Sequence, residues 1–201
     1  VSRLGFLATL AAWATVALAA APATGASTPA PAMSLGNPHA PVTVVEYASV
    51  GCPHCAKWAN DVFPEFRNQY IDTGKVRFEF HEMLTGNPAL AAAGFLLARC
   101  AAPNKYFQVV DDVFARQDEI GDKGIEVLKQ IGEHAGVSRE QFGNCLQDRE
   151  ALDALEKRTQ DDAQAHGVTG TPTFFVAGEK LNGEQSLDAL GAAIARASPR
   201  R

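Results

Sequence analysis

The sequence predicts an α/β core interrupted by a long helical insertion. Val42 to Tyr47, Val76 to Phe80 and Thr173 to Val176 read as strands, two near the start of the folded region and one near its end. Between Gly86 and Gly167 no segment has good strand character, while apolar residues recur at helical spacing. The resulting order is strand, helix, strand, about 80 helical residues, strand, strand, helix, which suits a sheet covered by helices with an all-helical segment inserted.

The chain has 201 residues. Val1-Ser2-Arg3 is a short positive start, Leu4 to Ala21 is uncharged and apolar, and small residues follow in Ala21-Pro22-Ala23 and Thr24-Gly25-Ala26. That three-part pattern predicts a secretory signal peptide over 1–26, cut after Ala26. A membrane anchor is the alternative; the run is long enough but mostly Ala. Ser27 to Leu35, rich in Ser, Thr, Pro and Ala, reads as a flexible linker. Residues 36–86 and 168–197 are then the two parts of the core, 87–167 the insertion and 198–201 a tail. With Arg3 the only charge in the leader, the remainder carries 17 basic and 23 acidic residues, net −6 with neutral His. No basic cluster stands out, so nucleic acid is not an expected partner. Four cysteines in an exported chain read as two disulfides, or as one disulfide plus a redox pair.

Gly36 to Pro41 is a turn whose two prolines stop any earlier helix. Val42-Thr43-Val44-Val45-Glu46-Tyr47 is a nearly continuous apolar strand, as for a central strand covered on both faces, with Glu46 the odd residue. Pro53 to Tyr70 is predicted as one helix with Trp58, Val62, Phe66 and Tyr70 at spacing four, kinked by Pro64. In Val76 to Phe80 apolar and charged residues alternate. The insertion is predicted to hold helices over Pro88 to Ala102, Asn104 to Gln117, around Ile125 to Ile131, after a Ser138–Gln141 capping box, and over Arg149 to His166. Thr173 to Val176 turns at Ala177-Gly178 into a return strand, and Leu187, Leu190 and Ile194 mark a last helix.

Cys52-Pro53-His54-Cys55 lies where the first strand gives way to a helix. Free N–H groups and the macrodipole at a helix start stabilise an anion, so a thiol at Cys52 loses its proton more easily, and the thiolate is the reactive form. The spacing brings Cys55 to the same side, within disulfide reach. His54, in the first turn, can stabilise that thiolate through its ring, or be merely exposed; Pro53 suits the first helical position on structural grounds alone. Glu46, six residues before Cys52 in an apolar strand, reads as a poorly solvated carboxyl able to carry a proton, or as a strand-edge residue reaching water. Cys100 and Cys145 read as a structural disulfide between two helices of the insertion, worth about 4 kcal/mol in the chain-entropy model. No metal site is expected, since neither has a close-spaced second ligand.

Gly36 to Tyr47, then Cys52-Pro53-His54-Cys55, then Thr171-Pro172-Thr173-Phe174-Phe175 resemble the bacterial DsbA family over nearly the whole chain beyond the leader. The resemblance implies a thioredoxin-like fold with an inserted all-helical domain. It implies an exposed nucleophile at Cys52, a buried partner at Cys55, an acidic residue beneath the site at Glu46, and a cis Thr171-Pro172 bond opposite the cysteines, where Thr171 pairs with an extended substrate. His81 stands near where relatives often carry Lys or Arg, which leaves the buried partner of Glu46 open. The implied activity is a periplasmic thiol:disulfide oxidase with no cofactor beyond its own Cys52–Cys55 disulfide. It would act as a monomer on reduced exported proteins and be reoxidised by a DsbB-like, quinone-linked membrane partner. Two rivals are an isomerase or reductase on the same fold and a soft-metal carrier using Cys52 and Cys55. Known isomerases of this kind carry a dimerising N-terminal domain, for which the residues between Ala26 and Gly36 leave no room.

Overall fold

The structure, a computed structural model, describes residues 32–199 together with Val1. The signal-peptide reading, most of the linker and the last two residues fall outside them. Among the described residues five strands form one mixed sheet in the order β1-β3-β2-β4-β5: β1 Met33–Leu35, β2 Val42–Ala48, β3 Val76–Glu82, β4 Thr173–Val176 and β5 Glu179–Asn182. β2 and β3 run parallel, joined by a helical crossover; the other pairs are antiparallel. Thioredoxin-like topology with a helical insertion is therefore what the chain adopts.

Three expectations change. Met33–Leu35, assigned to the linker, is an edge strand with Met33 opposite Phe80. Three residues are too few to show a period, and β3 sets their register. β3 continues past Phe80 to Glu82. Glu82 is buried and accepts from Arg99 at 2.7 and 2.9 Å, from Tyr106 at 2.8 Å and from Arg158 at 2.5 Å, so a charged strand end becomes an anchor for the insertion. The helix after the cysteines is broken rather than kinked: α1 is Pro53–Asp61, α2 is Phe63–Phe66, and a π-helical turn over Arg67–Ile71 follows. Pro64 has no N–H to continue the ladder, and the chain restarts at Val62.

The face of β2 and β3 bearing Val44, Glu46, Phe78 and Phe80 is covered by α1, α2 and the insertion. Trp58 packs on Phe174 at 4.7 Å, Phe63 on Phe78 at 5.1 Å, and Phe80 on Phe95 at 6.0 Å. On the opposite face Tyr47, Phe175 and His81 meet His166 and Val168. The insertion holds α3 Pro88–Cys100, a 3₁₀ turn Pro103–Lys105, α4 Tyr106–Ala115, α5 Gln117–Lys123, α6 Ile125–His134, α7 Arg139–Gln147 and α8 Arg149–His166. Asn87 caps α3, Asp148 caps α8, and Ser138 with Gln141 forms both bonds of the predicted capping box at α7. Cys100 and Cys145 form a disulfide joining α3 to α7, with Cα atoms 6.1 Å apart. Helix α9, Leu187–Ala197, closes the core.

Candidate active site

Cys52 is the N-cap of α1, with extended backbone, and Pro53 occupies the first turn. The cap position aims the start of the helix at its own sulfur. Both cysteines are free thiols. Cys55 is completely buried, as expected. Cys52, expected to be exposed, is only 6% accessible. The Thr171-Pro172 loop lies over it, and its sulfur donates to the Thr171 carbonyl at 3.5 Å. The Thr171-Pro172 bond is cis.

The two thiols are driven apart. Cys52 is lowered to about 5, first by the hydrogen bond from the Cys55 side chain, then by the Thr171 side chain and the backbone N–H groups of Cys55 and His54, with burial opposing. Burial pushes Cys55 far above the ordinary thiol range, and the neighbouring Cys52 and Glu46 reinforce this. The His54 ring is exposed in the first turn of α1. Its Nδ1 lies 2.6 Å from Glu184 Oε1 on the loop before α9, and that carboxylate raises its pKa. His54 thus supports the Cys52 thiolate through its main-chain N–H and, when protonated, through the charge of its ring, which also ties α1 to the β5–α9 loop.

Glu46 is 3% exposed in the central strand, which excludes the strand-edge alternative. Burial, then the charge of Asp111, holds its carboxyl well above the usual range. His81 is not its partner. Adjacent residues of a strand point to opposite faces, and β2 pairs Glu46 with Phe80 but Tyr47 with His81. His81 therefore faces away, stacked on Tyr47 at 4.6 Å and paired with Asp162 at 2.8 Å.

Several site residues carry no local signal in the sequence. Thr85 Oγ1 is 2.6 Å from Thr171 Oγ1. Ser49 accepts from Gly51 N–H at 3.1 Å and donates to the Thr85 carbonyl at 2.9 Å, locking the cysteine loop to the segment after β3. Gln117, from the insertion, donates to the carbonyls of Val50 at 2.7 Å and Cys52 at 3.3 Å. Gly86, with φ +72°, passes so close to Gly51 that a Cβ would fall 2.2 Å from its carbonyl oxygen. Gly51 answers it, since a Cβ there would fall 2.2 Å from the Asn87 carbonyl oxygen, so the two glycines together are the sequence cue to the crossing of these segments.

The family model described as Thioredoxin matches residues 28–196. A Rickettsia bellii protein named "Putative protein-disulfide oxidoreductase" is 34% identical over 168 residues, 82% of this chain and 64% of its own length. A Bacillus anthracis protein named "Probable disulfide bond formation protein D" is 30% identical over 80% of this chain and 76% of its own. The chain thus spans less than two-thirds of the Rickettsia relative. Among solved structures, Wolbachia pipientis alpha-DsbA1 superposes with a TM-score of 0.75 at 25% identity, over 82% of this chain and 89% of that one. BdbD from Bacillus subtilis gives 0.65 at 21%, over 83% and 92%, a likeness of fold. With its cysteine pair at the head of α1, the cis proline opposite and helices α3 to α8 inserted between β3 and β4, the chain belongs to the thioredoxin family in its DsbA-like form.

Proposed function

We propose that the chain is a thiol:disulfide oxidase that donates a Cys52–Cys55 disulfide to reduced exported proteins in the periplasm. The observation that carries this reading is the placement of Cys52 at the N-cap of α1, against the Thr171 carbonyl, with Cys55 fully buried behind it, an arrangement that lowers the first thiol and raises the second. A stabilised Cys52 thiolate stabilises the reduced form, which makes the disulfide oxidising.

In the forward step a substrate thiolate attacks Cys52 Sγ. The new substrate–Cys52 bond forms as the Cys52–Cys55 bond breaks, and Cys55 leaves as a thiolate. Being buried, it takes a proton, and Glu46 beneath the site supplies one. A second substrate thiolate then attacks the substrate sulfur of the mixed disulfide and expels Cys52 as its stabilised thiolate. Substrate leaves oxidised by two electrons and the pair leaves reduced. Thr171 presents its carbonyl beside Cys52, where an extended substrate segment adds as a strand. The cycle closes when a DsbB-like, quinone-linked membrane partner reoxidises the pair.

Trapping with Cys55→Ala in cells tests the reading. The variant keeps the Cys52 thiolate, which attacks the disulfide of an oxidised substrate in the reverse of the second step, but lacks the thiol that resolves the product, so mixed disulfides with many exported proteins should accumulate. Their absence, in a variant that folds and is exported, would rule the reading out.

A further inference from the structure

Glu46 has no hydrogen-bond or ion-pair partner among the described residues, yet it sits in the middle of the core. Its carboxyl faces a small cavity of about 10 Å³, walled by Trp58, Phe63, Phe78 and Phe80. Among the described residues, the one other ionisable group lining that cavity is Asp111 of α4. Asp111 also lacks a hydrogen-bond or ion-pair partner among the described residues, and its backbone belongs to the insertion, not the core. The same residue lines two open clefts on the outer surface, one beside Met33 to Leu35 and Phe107, the other beside Asn60, Pro64 and Asn68. Among the described residues, Asp111 is therefore the polar group common to the small cavity at Glu46 and to the two outer clefts. The chamber is of the order needed for one water, about 10–15 Å³.

We propose that Asp111 is the outer station of a proton path that serves Cys55 through Glu46, running across the seam between the core and the insertion. The proposal rests on the oxidase reading above and deepens it. When Cys55 leaves as a thiolate, the Glu46 carboxyl transfers its proton to Cys55 Sγ and becomes a carboxylate. Asp111 returns a proton to Glu46 across the chamber and is itself reprotonated from the surface cleft. In the reverse direction Cys55 Sγ–H yields its proton to Glu46, which passes it outward. One proton moves per exchange, and no further reactant is required. Asp111 does not touch the sulfurs; it acts through Glu46.

The charges around Asp111 suit the role. Burial raises it to about 6, Asp112 adds to the rise, and Arg67 of the π-helical turn opposes it. Arg67 pairs with Asp72 at 3.5 Å and Asp112 with His134 at 3.0 Å, so each is held by another group. On the inner side the groups facing Glu46 are Asp111 and Cys55. A group that titrates near 6 both accepts and releases a proton at neutral pH.

The test uses Asp111→Asn, Asp111→Glu, Glu46→Gln and the Glu46→Gln/Asp111→Asn double variant of the full chain. The readout is single-turnover oxidation of a reduced dithiol peptide, with each phase followed from pH 5 to 8. Asp111→Asn should slow the phase that forms the Cys55 thiol several-fold and remove the limb of its pH profile near 6. Asp111→Glu should restore most of both. The double variant should be no slower than Glu46→Gln alone, because the two groups act in series. The Cys52 thiolate titration near 5 should stay in place in every variant, which separates a proton-path defect from a misfolded site. An unchanged pH profile in Asp111→Asn, or additive losses in the double variant, would overturn the proposal while leaving the oxidase reading intact. If wild-type protein transfers no disulfide to the peptide, the oxidase reading itself falls, and the proton path with it.

Discussion

Removing the Cys55 thiol gives the most direct view of what tunes Cys52. The hydrogen bond from Cys55 is the first cause of the lowered Cys52 pKa, ahead of Thr171 and the two N–H groups at the head of α1. A hydrogen bond to a charged group is worth about 1.5–3 kcal/mol, and one pKa unit corresponds to about 1.4 kcal/mol. Cys55→Ala should therefore raise Cys52 by about one to two units, from about 5 to ~6–7. It should not reach the ordinary thiol value of ~8.5, because Thr171 and the helix N-terminus remain. Absorbance of the thiolate at 240 nm against pH measures this directly, and the rate of iodoacetamide alkylation against pH gives a second reading. A variant still titrating near 5 would refute the role given to Cys55. One titrating near 8.5 would refute the contribution of Thr171 and the backbone amides.

Two other outcomes follow, one from Glu46 and one from the insertion disulfide. Because the folded-state pKa of Glu46 is raised, its contribution to stability is complete below the unfolded value of about 4.3 and is lost as pH rises above it. Glu46→Gln should therefore melt higher than wild type at pH 7, with the difference shrinking as pH falls toward 4; a variant less stable at pH 7 would contradict this. The disulfide closes a sequence separation of 45 residues, for which the chain-entropy model gives about 4 kcal/mol. Cys100→Ala/Cys145→Ala should lose ~2–4 kcal/mol in denaturant unfolding while the Cys52 titration stays near 5. A shift of that titration would show that the insertion disulfide reaches the active site.

What could be read from the sequence follows the range of each interaction. Cys52-Pro53-His54-Cys55 and its place at a helix start are local, as are the strand at Val42 and the capping box at Ser138, and each has a period or spacing to reveal it. The edge strand at Met33 borrows its order from β3, and Glu82 extends β3 because Arg99, Tyr106 and Arg158 arrive from three separate helices. Neither has a local signature. Glu46 stood out as a charge in an apolar strand, but that its neighbour would be Asp111, 65 positions on, depends on how α4 lies across the sheet. His81 shows the limit most plainly. One residue of strand register places it on the opposite face from Glu46, and register is set by pairing with β2.

Under the proposed function the site favours the reduced pair, so that its disulfide is given away. Equilibrating the protein against glutathione redox buffers at pH 7, with alkylation of the free thiols as readout, tests this most directly. A potential well above that of thioredoxin, about −270 mV, is expected, in the range of protein-oxidising dithiols near about −180 to −120 mV. A potential at or below that of thioredoxin would contradict it.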